Sequence, residues 1–287
     1  MARLAGGELE VRGRLVDASN ATLYAVVHDA EGRELPCVYK PVAGERPLWD
    51  FPDDTLARRE VAAYVVSAAT GFDVVPPTVF RDGPAGEGSV QLWLSPLGSD
   101  PGPDPADGTA TDEEEDAGED VEEIPLPTPG ADLIDILSPR RVPEGWLTVL
   151  HAEDGRGRPV VLAHADDERL RRIALLDAVV NNADRKGGHV LPGRDGGVHG
   201  VDHGLTFHVE PKLRTVLWGW AGHRLSGSER DVLTRLADAL QGELGEQLSA
   251  LLAVEEVVAT LERVQHLLDT DRLPRPHRGN PLPWPPF

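Results

Sequence analysis

The stretch NNADRKGGHVLPGRDGGVHGVDHG, Asn181 to Gly204, decides how the rest of the chain is read. Val190–Leu191 and Val198–Val201 are short strand-forming runs on either side of PGRDGG, whose Pro, Asp and Gly suit a turn. A hairpin brings the chain back to where it left. Asp184, just before the ribbon, and Asp202, just after it, are therefore predicted to meet in space. Two carboxylates with His189 nearby can hold a divalent cation, or divide the work of general base and metal ligand. Gly187, Gly188 and Gly204 leave room for close approach of a ligand or of backbone.

The composition fits a packed globule. With 287 residues, 40% of them hydrophobic, and six Trp, the chain can bury one large core or two smaller ones. A single cysteine, Cys37, rules out an intramolecular disulfide framework and suits a reducing compartment. The N-terminal residues lack the apolar core of a signal peptide. No run approaches the ~18 apolar residues of a membrane span. The expectation is a cytoplasmic protein with no transmembrane segment. The net charge of −21 argues against nucleic acid as a partner. It is unevenly spread: Asp100–Glu123 holds twelve acidic residues and no basic one, and without them the net charge falls to −9.

Four regions follow. Residues 1–97 alternate apolar and polar positions around one helical segment, DDTLARREVAAYVVSAATG, which has acidic residues before it and Gly71 after it. They read as a β-rich lobe of five short strands and a helix. Residues 98–130 are Pro, Gly, Asp and Glu, too poor in apolar side chains to offset the entropy of ordering, and are expected to be a disordered acidic insert or linker. Residues 131–272 read as a mainly helical lobe, with DDERLRRIALLDAVVNNA leading into the hairpin and a capping box at Ser226 and Glu229. Residues 273–287 are a Pro-rich tail. The fold class is α+β, two-lobed, with a cleft between the lobes.

Lys40 in CVYKP lies on a strand where Val38 shares its face and Cys37 and Tyr39 point the other way. A lysine so placed can contact phosphate, and Glu60 on the following helix can anchor it. The turn DASNATLY has small residues, Ala18, Ser19, Asn20 and Ala21, whose backbone N–H groups suit phosphate oxygens. Strand–polar turn–strand, strand Lys, helix Glu, linker, Asp-Arg loop, hairpin and Asp-x-Gly is the order of parts used in ATP-dependent phosphoryl transfer.

The motifs resemble those of the atypical kinases of the phosphatidylinositol 3-/4-kinase superfamily, whose catalytic loop reads Asp-Arg-His-x-x-Asn and whose metal loop reads Asp-x-Gly. DRKGGH matches at Asp184 and Arg185, with Lys186 in place of His and His189 in place of Asn; DHG matches at Asp202 and Gly204. LVDASNATL, CVYKPVAGERPLWDFPDDTLARREVAAY and NNADRKGGHVLP are similar to an actinobacterial group related to those kinases. The HipA-type kinases are more distant. The resemblance implies a two-lobed protein-kinase-like fold, with ATP and Mg²⁺ or Mn²⁺ as cofactors. Lys40 would contact the nucleotide phosphates, Glu60 would hold Lys40, and Ser19 and Asn20 would cover the phosphates. Gln91, Leu92 and Trp93 would border adenine. Asp184, Arg185 and Lys186 would form the catalytic loop, and Asp202 and His189 would be the metal ligands. Lys212 and Arg214, in the segment replacing an activation loop, would attract an anionic acceptor.

Two departures shape the reading. Imidazole suits Mn²⁺ or Zn²⁺ better than Mg²⁺, so His189 either alters a metal site or only hydrogen-bonds. Lys186 puts a permanent cation where a titratable His would be. Other readings stay open beside these. Asp184 and Asp202 suit turns, Lys40 suits a strand edge, Glu60 suits a helix surface, and Trp218 and Trp220 suit a core. The acceptor could be an inositol-type headgroup, a small molecule or a protein hydroxyl. A nucleotide-binding pseudokinase that recruits partners through the acidic insert or the Pro-rich tail is the alternative, and nucleotidyl transfer is a third.

Overall fold

The structure, a computed structural model, describes residues 1–15, 20–94, 122–124, 133–193, 196–277 and 279–287. After a short helix α1 (Ala2–Gly6) come strands β1 (Glu8–Leu15), β2 (Leu23–His28) and β3 (Glu34–Pro41). Helix α2 (Leu56–Thr70) follows, then β4 (Thr78–Gly83) and β5 (Gly86–Leu92). These five strands form one antiparallel sheet in the order β4-β5-β3-β2-β1. The alternation in CVYKP is realised: Cys37 and Tyr39 are fully buried with Leu4, Leu9, Ala25, Val27, Val79 and Val90. Lys40 faces the other way, as a side-chain period of two requires.

Within the region expected to be disordered, Glu122–Ile124 form a short strand, β6, parallel to Gly13–Leu15 of β1. The open edge of β1 offers unpaired N–H and C=O groups, so backbone alone recruits these three residues. The rest of the 98–130 expectation lies outside the described residues.

Helix α2 starts differently from the expectation that the acidic residues before it cap it. Thr55 is the N-cap and makes no side-chain cap. The orphan N–H groups of Leu56 and Ala57 are instead taken by the Glu45 carboxylate, at 3.0 and 2.7 Å. A carboxylate there also meets the positive end of the helix dipole. Gly71 closes the helix with φ +69°, a left-handed turn that favours glycine.

The region expected to be mainly helical begins with a sheet. Strands β7 (Ile134–Leu137), β8 (Trp146–Glu153) and β9 (Pro159–Ala165) are antiparallel in the order β7-β9-β8. The local signal was a β-type run, PVVLAHA, preceded by DGRG, where Asp154 accepts the N–H groups of Arg156 and Arg158. Helix α3 (Glu168–Val180) is capped by Asp167 and ends at Asn181 in the left-handed conformation. Strands β10 (Val190–Pro192) and β11 (Val198–Gly200) pair antiparallel, which realises the predicted hairpin. Helices α4 (Gly227–Leu240), α5 (Glu243–Ser249) and α6 (Val254–Thr270) complete the lobe. The capping box at Ser226 and Glu229 is present.

The chain thus has an α+β, two-lobed fold, with α2 shared between the lobes. Ala62, Ala63 and Val66 of α2 sit in one cluster with Leu170, Ile173 and Leu176 of α3, Leu236 of α4, Leu248 of α5 and Val264 of α6. Buried Arg59 ties α2 to α6 through Glu256 at 2.6 Å and donates to the Thr206 carbonyl at 2.6 Å. The Pro-rich tail packs back on its own chain. Pro281 accepts from Thr215 N–H and from the Trp218 indole, and Pro286 accepts from Gly187 N–H.

Candidate functional site

The open end of the hairpin faces α2 and β3, and the chemistry collects there. Lys40 Nζ lies 2.5 Å from Glu60 Oε1 and 2.8 Å from Asp202 Oδ1. Three elements far apart in sequence therefore meet at one ammonium. Glu60 uses its second oxygen to accept the His203 N–H at 2.9 Å, which joins α2 to the DHG loop. Asp202 adopts φ +58°, a conformation uncommon outside glycine, and its side chain remains 48% exposed. A strained, accessible carboxylate at the end of a rigid ribbon is what a ligand-binding group requires.

Asp184 and Lys186 stand in the loop that leads into β10, with Lys186 Nζ 3.2 Å from Asp184 Oδ2. Asn182 Oδ1 accepts the Asp184 N–H and fixes the loop, while its amide donates to Asp177. His189 Nε2 lies 3.3 Å from Asp202 Oδ2; its Nδ1 is buried with no partner among the described residues.

A cavity of about 150 Å³ opens between these groups. Lys40, Glu60, Asp184, Asp202 and Gly204 line it, together with Asn20, Thr22, Glu45 and Arg46 and an apolar wall that includes Leu48, Leu56 and Leu205. Burial works against the charge on Lys40, but the Asp202 and Glu60 carboxylates outweigh it and hold the ammonium above the usual lysine range. Burial likewise opposes the charge on Asp202, and Lys40 overrides it, keeping that carboxyl well below the ordinary range. Burial pushes Asp184 up, with Lys186 pulling it back. Burial lowers His189 to about 4, so its imidazole is neutral at physiological pH.

Several expected site residues stand elsewhere. Arg185 is 0% exposed and does not line the cavity. Its guanidinium is consumed by Asp177, by the carbonyls of His189 and Val201, and by His203 Nε2. It locks the two ends of the hairpin together and is a positioning residue. Gln91, Leu92 and Trp93 do not line the cavity either. The Gln91 amide is buried on Thr78 Oγ1, and Trp93 packs edge-on against Tyr24. Asn20 lines the cavity, but its side chain accepts the Arg46 N–H. The Ala21 N–H, expected to be available for phosphate, donates to the Gly44 carbonyl. Ser19 and Ala18 lie outside the described residues. Lys212 is paired with Asp50 at 2.7 Å, which fastens the β3–α2 loop to the second lobe. Trp218 and Trp220 are buried in the core. The glycine at 187 is needed for backbone and tail, since a Cβ there would strike the Phe287 ring.

Sequence reasoning missed Glu45 and Arg46. Their signal was present in KPVAGERP, a charged pair one turn beyond the strand lysine, but only the folded loop shows that it curls back to the cavity. Cys37 is buried and its thiol is pushed up to about 12, which removes it as a nucleophile.

As a cation site, the cluster offers oxygens from Asp202 and a neutral nitrogen from His189. No group of three or more His, Cys, Asp or Glu side chains converges among the described residues. Two protein donors, one of them an imidazole, and an open side fit an ion such as Mn²⁺ that would take its remaining ligands from water or phosphate, rather than an all-protein cage.

No protein-family profile matches the chain. Protein Rv2133c of Mycobacterium tuberculosis is 50% identical over 285 residues, which cover 99% of this chain and 94% of that protein. Among solved structures, hydra Fam20 with sugar aligns with a TM-score of 0.47 and 13% identity over 93% of this chain and 86% of that one. The Golgi casein kinase with Mn/ADP bound aligns with a TM-score of 0.47 and 14% identity, over 93% and 73%. Likenesses this distant leave the site's chemistry to be argued from its own residues. No helix among the described residues is long and apolar enough to cross a membrane.

Proposed function

The chain belongs to the same family as the mycobacterial Protein Rv2133c, and on that premise we propose that it is an ATP- and divalent-cation-dependent phosphotransferase acting on a hydroxyl acceptor. The observation that carries this is Lys40 held between Glu60 and Asp202 at 2.5 and 2.8 Å, with Asp184 on the same cavity. A lysine that stays charged in a partly enclosed site is a phosphate ligand whose position is set in advance, and Glu60 does the setting. Asp202, with His189 beside it, would hold the cation, which would supply charge neutralisation at the phosphates. Asp184 would accept the acceptor's proton; its raised affinity for protons suits a base. Lys186 stands at Asp184, where a permanent cation can steady charge on the transferring group.

The relation to phosphatidylinositol 3-/4-kinases belongs to this proposal and rests on the matched Asp184, Arg185, Asp202 and Gly204. The acceptor class stays open between an inositol-type headgroup, a small alcohol and a protein hydroxyl.

The test is phosphoryl transfer or ATP hydrolysis with Mn²⁺ or Mg²⁺ in the wild type and in Asp202→Ala. Turnover that vanishes in the variant supports the reading. Intact mass of the products separates a phosphoryl from an adenylyl adduct.

A second reading, a nucleotide-binding regulatory module, is favoured by one observation: the Lys40 ammonium directly occupies the carboxylate that would face the cation. ATP that raises thermal stability without turnover under any metal would select it.

A further inference from the structure

The charged side chains on the cavity wall fall into two classes. Lys40 is committed to Glu60 and Asp202, Asp184 to Lys186, and Glu45 to the first turn of α2. Arg46 lines the same cavity, yet among the described residues its guanidinium has no carboxylate and no hydrogen-bond partner.

Its backbone, by contrast, is anchored through its own N–H and through the two residues before it. The Arg46 N–H donates to Asn20 Oδ1 at 2.9 Å. The preceding Glu45 bonds back to Val42 and caps α2, and the Gly44 carbonyl receives the Ala21 N–H. Gly44 itself lies so close to Ala21 that a Cβ there would collide with the Ala21 side chain. The side chain is therefore launched from a rigid corner where the β1–β2 turn, β3 and α2 converge. Arg46 is thus an exposed, uncommitted cation on the wall of the cavity that Lys40 and Asp202 also line.

We propose that Arg46 is a ligand of the nucleotide's polyphosphate, gripping phosphate oxygens in the cavity that it lines with Lys40 and Asp184. Electrostatics supports the need for it. The charged lining comprises Lys40 and Arg46 against Glu45, Glu60, Asp184 and Asp202, so the wall without Arg46 is strongly anionic and repels a triphosphate. Guanidinium presents a planar fork that matches two phosphate oxygens, which an ammonium cannot do. Charge-assisted hydrogen bonds of this kind also fix orientation, so Arg46 would help to turn the terminal phosphate toward Asp184.

This inference rests on the phosphotransferase reading, and the experiment separates the two. Calorimetric binding of ATP with Mn²⁺, of inorganic tripolyphosphate and of adenosine would be measured on the full chain in wild type, Arg46→Ala and Arg46→Lys, with Asp202→Ala alongside. Because the exposed side chain makes no hydrogen bond or ion pair among the described residues, melting temperatures of both Arg46 variants are expected to match wild type. Arg46→Ala is expected to weaken ATP and tripolyphosphate by about tenfold or more and to leave adenosine unchanged. Arg46→Lys is expected to fall between, for want of the second hydrogen bond. Undiminished ATP and tripolyphosphate binding in Arg46→Ala would overturn the assignment and leave the phosphotransferase reading standing. Failure of the wild type to bind ATP or tripolyphosphate would overturn both.

Discussion

Asp184 and Arg185 are neighbours in sequence and belong to two different ionic clusters. Arg185 enters a closed knot with Asp177 and His203 in which every group is at 0% exposure and every guanidinium donor is used. Asp184 pairs with Lys186 and, with Asp202 and Lys40, lines an open cavity. The same residue types give opposite results because of solvent and satisfaction. In the knot, every guanidinium donor is spent, only His203 Nδ1 lacks a partner among the described residues, and no charge is left to act on a ligand. In the cavity, partial exposure leaves each group able to exchange its partner for another. Catalytic competence would follow from the second cluster, and the first would hold it in register.

The comparison breaks most visibly in the knot. Asp177→Ala leaves a buried guanidinium without its counter-charge and is expected to cost about 3–5 kcal/mol, read as a lowered midpoint in urea. A midpoint equal to wild type would mean that the knot is not structural.

In the cavity the expectation is reversed. Asp202→Ala should reduce metal-dependent turnover to background while lowering the unfolding midpoint far less than Asp177→Ala does, since Asp202 is half-exposed and Lys40 keeps Glu60 as a partner. Parallel loss of fold and activity would erase the distinction between the two clusters.

A pH profile sharpens it further. In the proposed role Asp184 would have to be ionised to accept a proton, and burial raises its affinity for protons while Lys186 lowers it. The acid limb of kcat/KM should therefore lie above the usual carboxylate range. Lys186→Met removes the lowering influence and should move that limb to higher pH. A limb that stays put would remove Lys186 from the electrostatics of Asp184.

The smallest effect is on stability. Burial holds His164, His189 and His203 below the ordinary histidine value of 6.5, with His189 at about 4. Between those values the unfolded chain binds protons that the native chain refuses, so stability falls as pH drops through that window. Denaturation midpoints at pH 7 and pH 5 measure the loss, and His164→Gln should lessen the slope by that residue's share.

Much of the first lobe was legible because its signals are local. Alternation placed Lys40 opposite Cys37 and Tyr39, and Gly71 marked the end of α2, as backbone geometry requires. The hairpin between Asp184 and Asp202 was equally readable from its turn residues. The strands at 134–165 were overlooked because short apolar runs do not distinguish a strand from a buried helix by period alone. Arg185 was misplaced for a different reason: a motif gives residue types in order, while burial depends on what Asp177 and His203 bring from elsewhere. Gln91 to Trp93 were assigned to adenine by their place on the strand that ends the first lobe; in the structure Gln91 bonds to Thr78 and Trp93 packs on Tyr24.

The sequence by itself determined the elements and the meeting of two carboxylates across a ribbon, because strand period, turn chemistry and helix caps act over a few residues. Only the tertiary structure decided which charges are spent and which are free. That depends on partners distant along the chain: Glu45 reaching the first turn of α2, Glu60 reaching both Lys40 and the His203 backbone, and Arg59 reaching Glu256. Folding brings them within hydrogen-bond range, and the energy of a charge is set by what lies within that range.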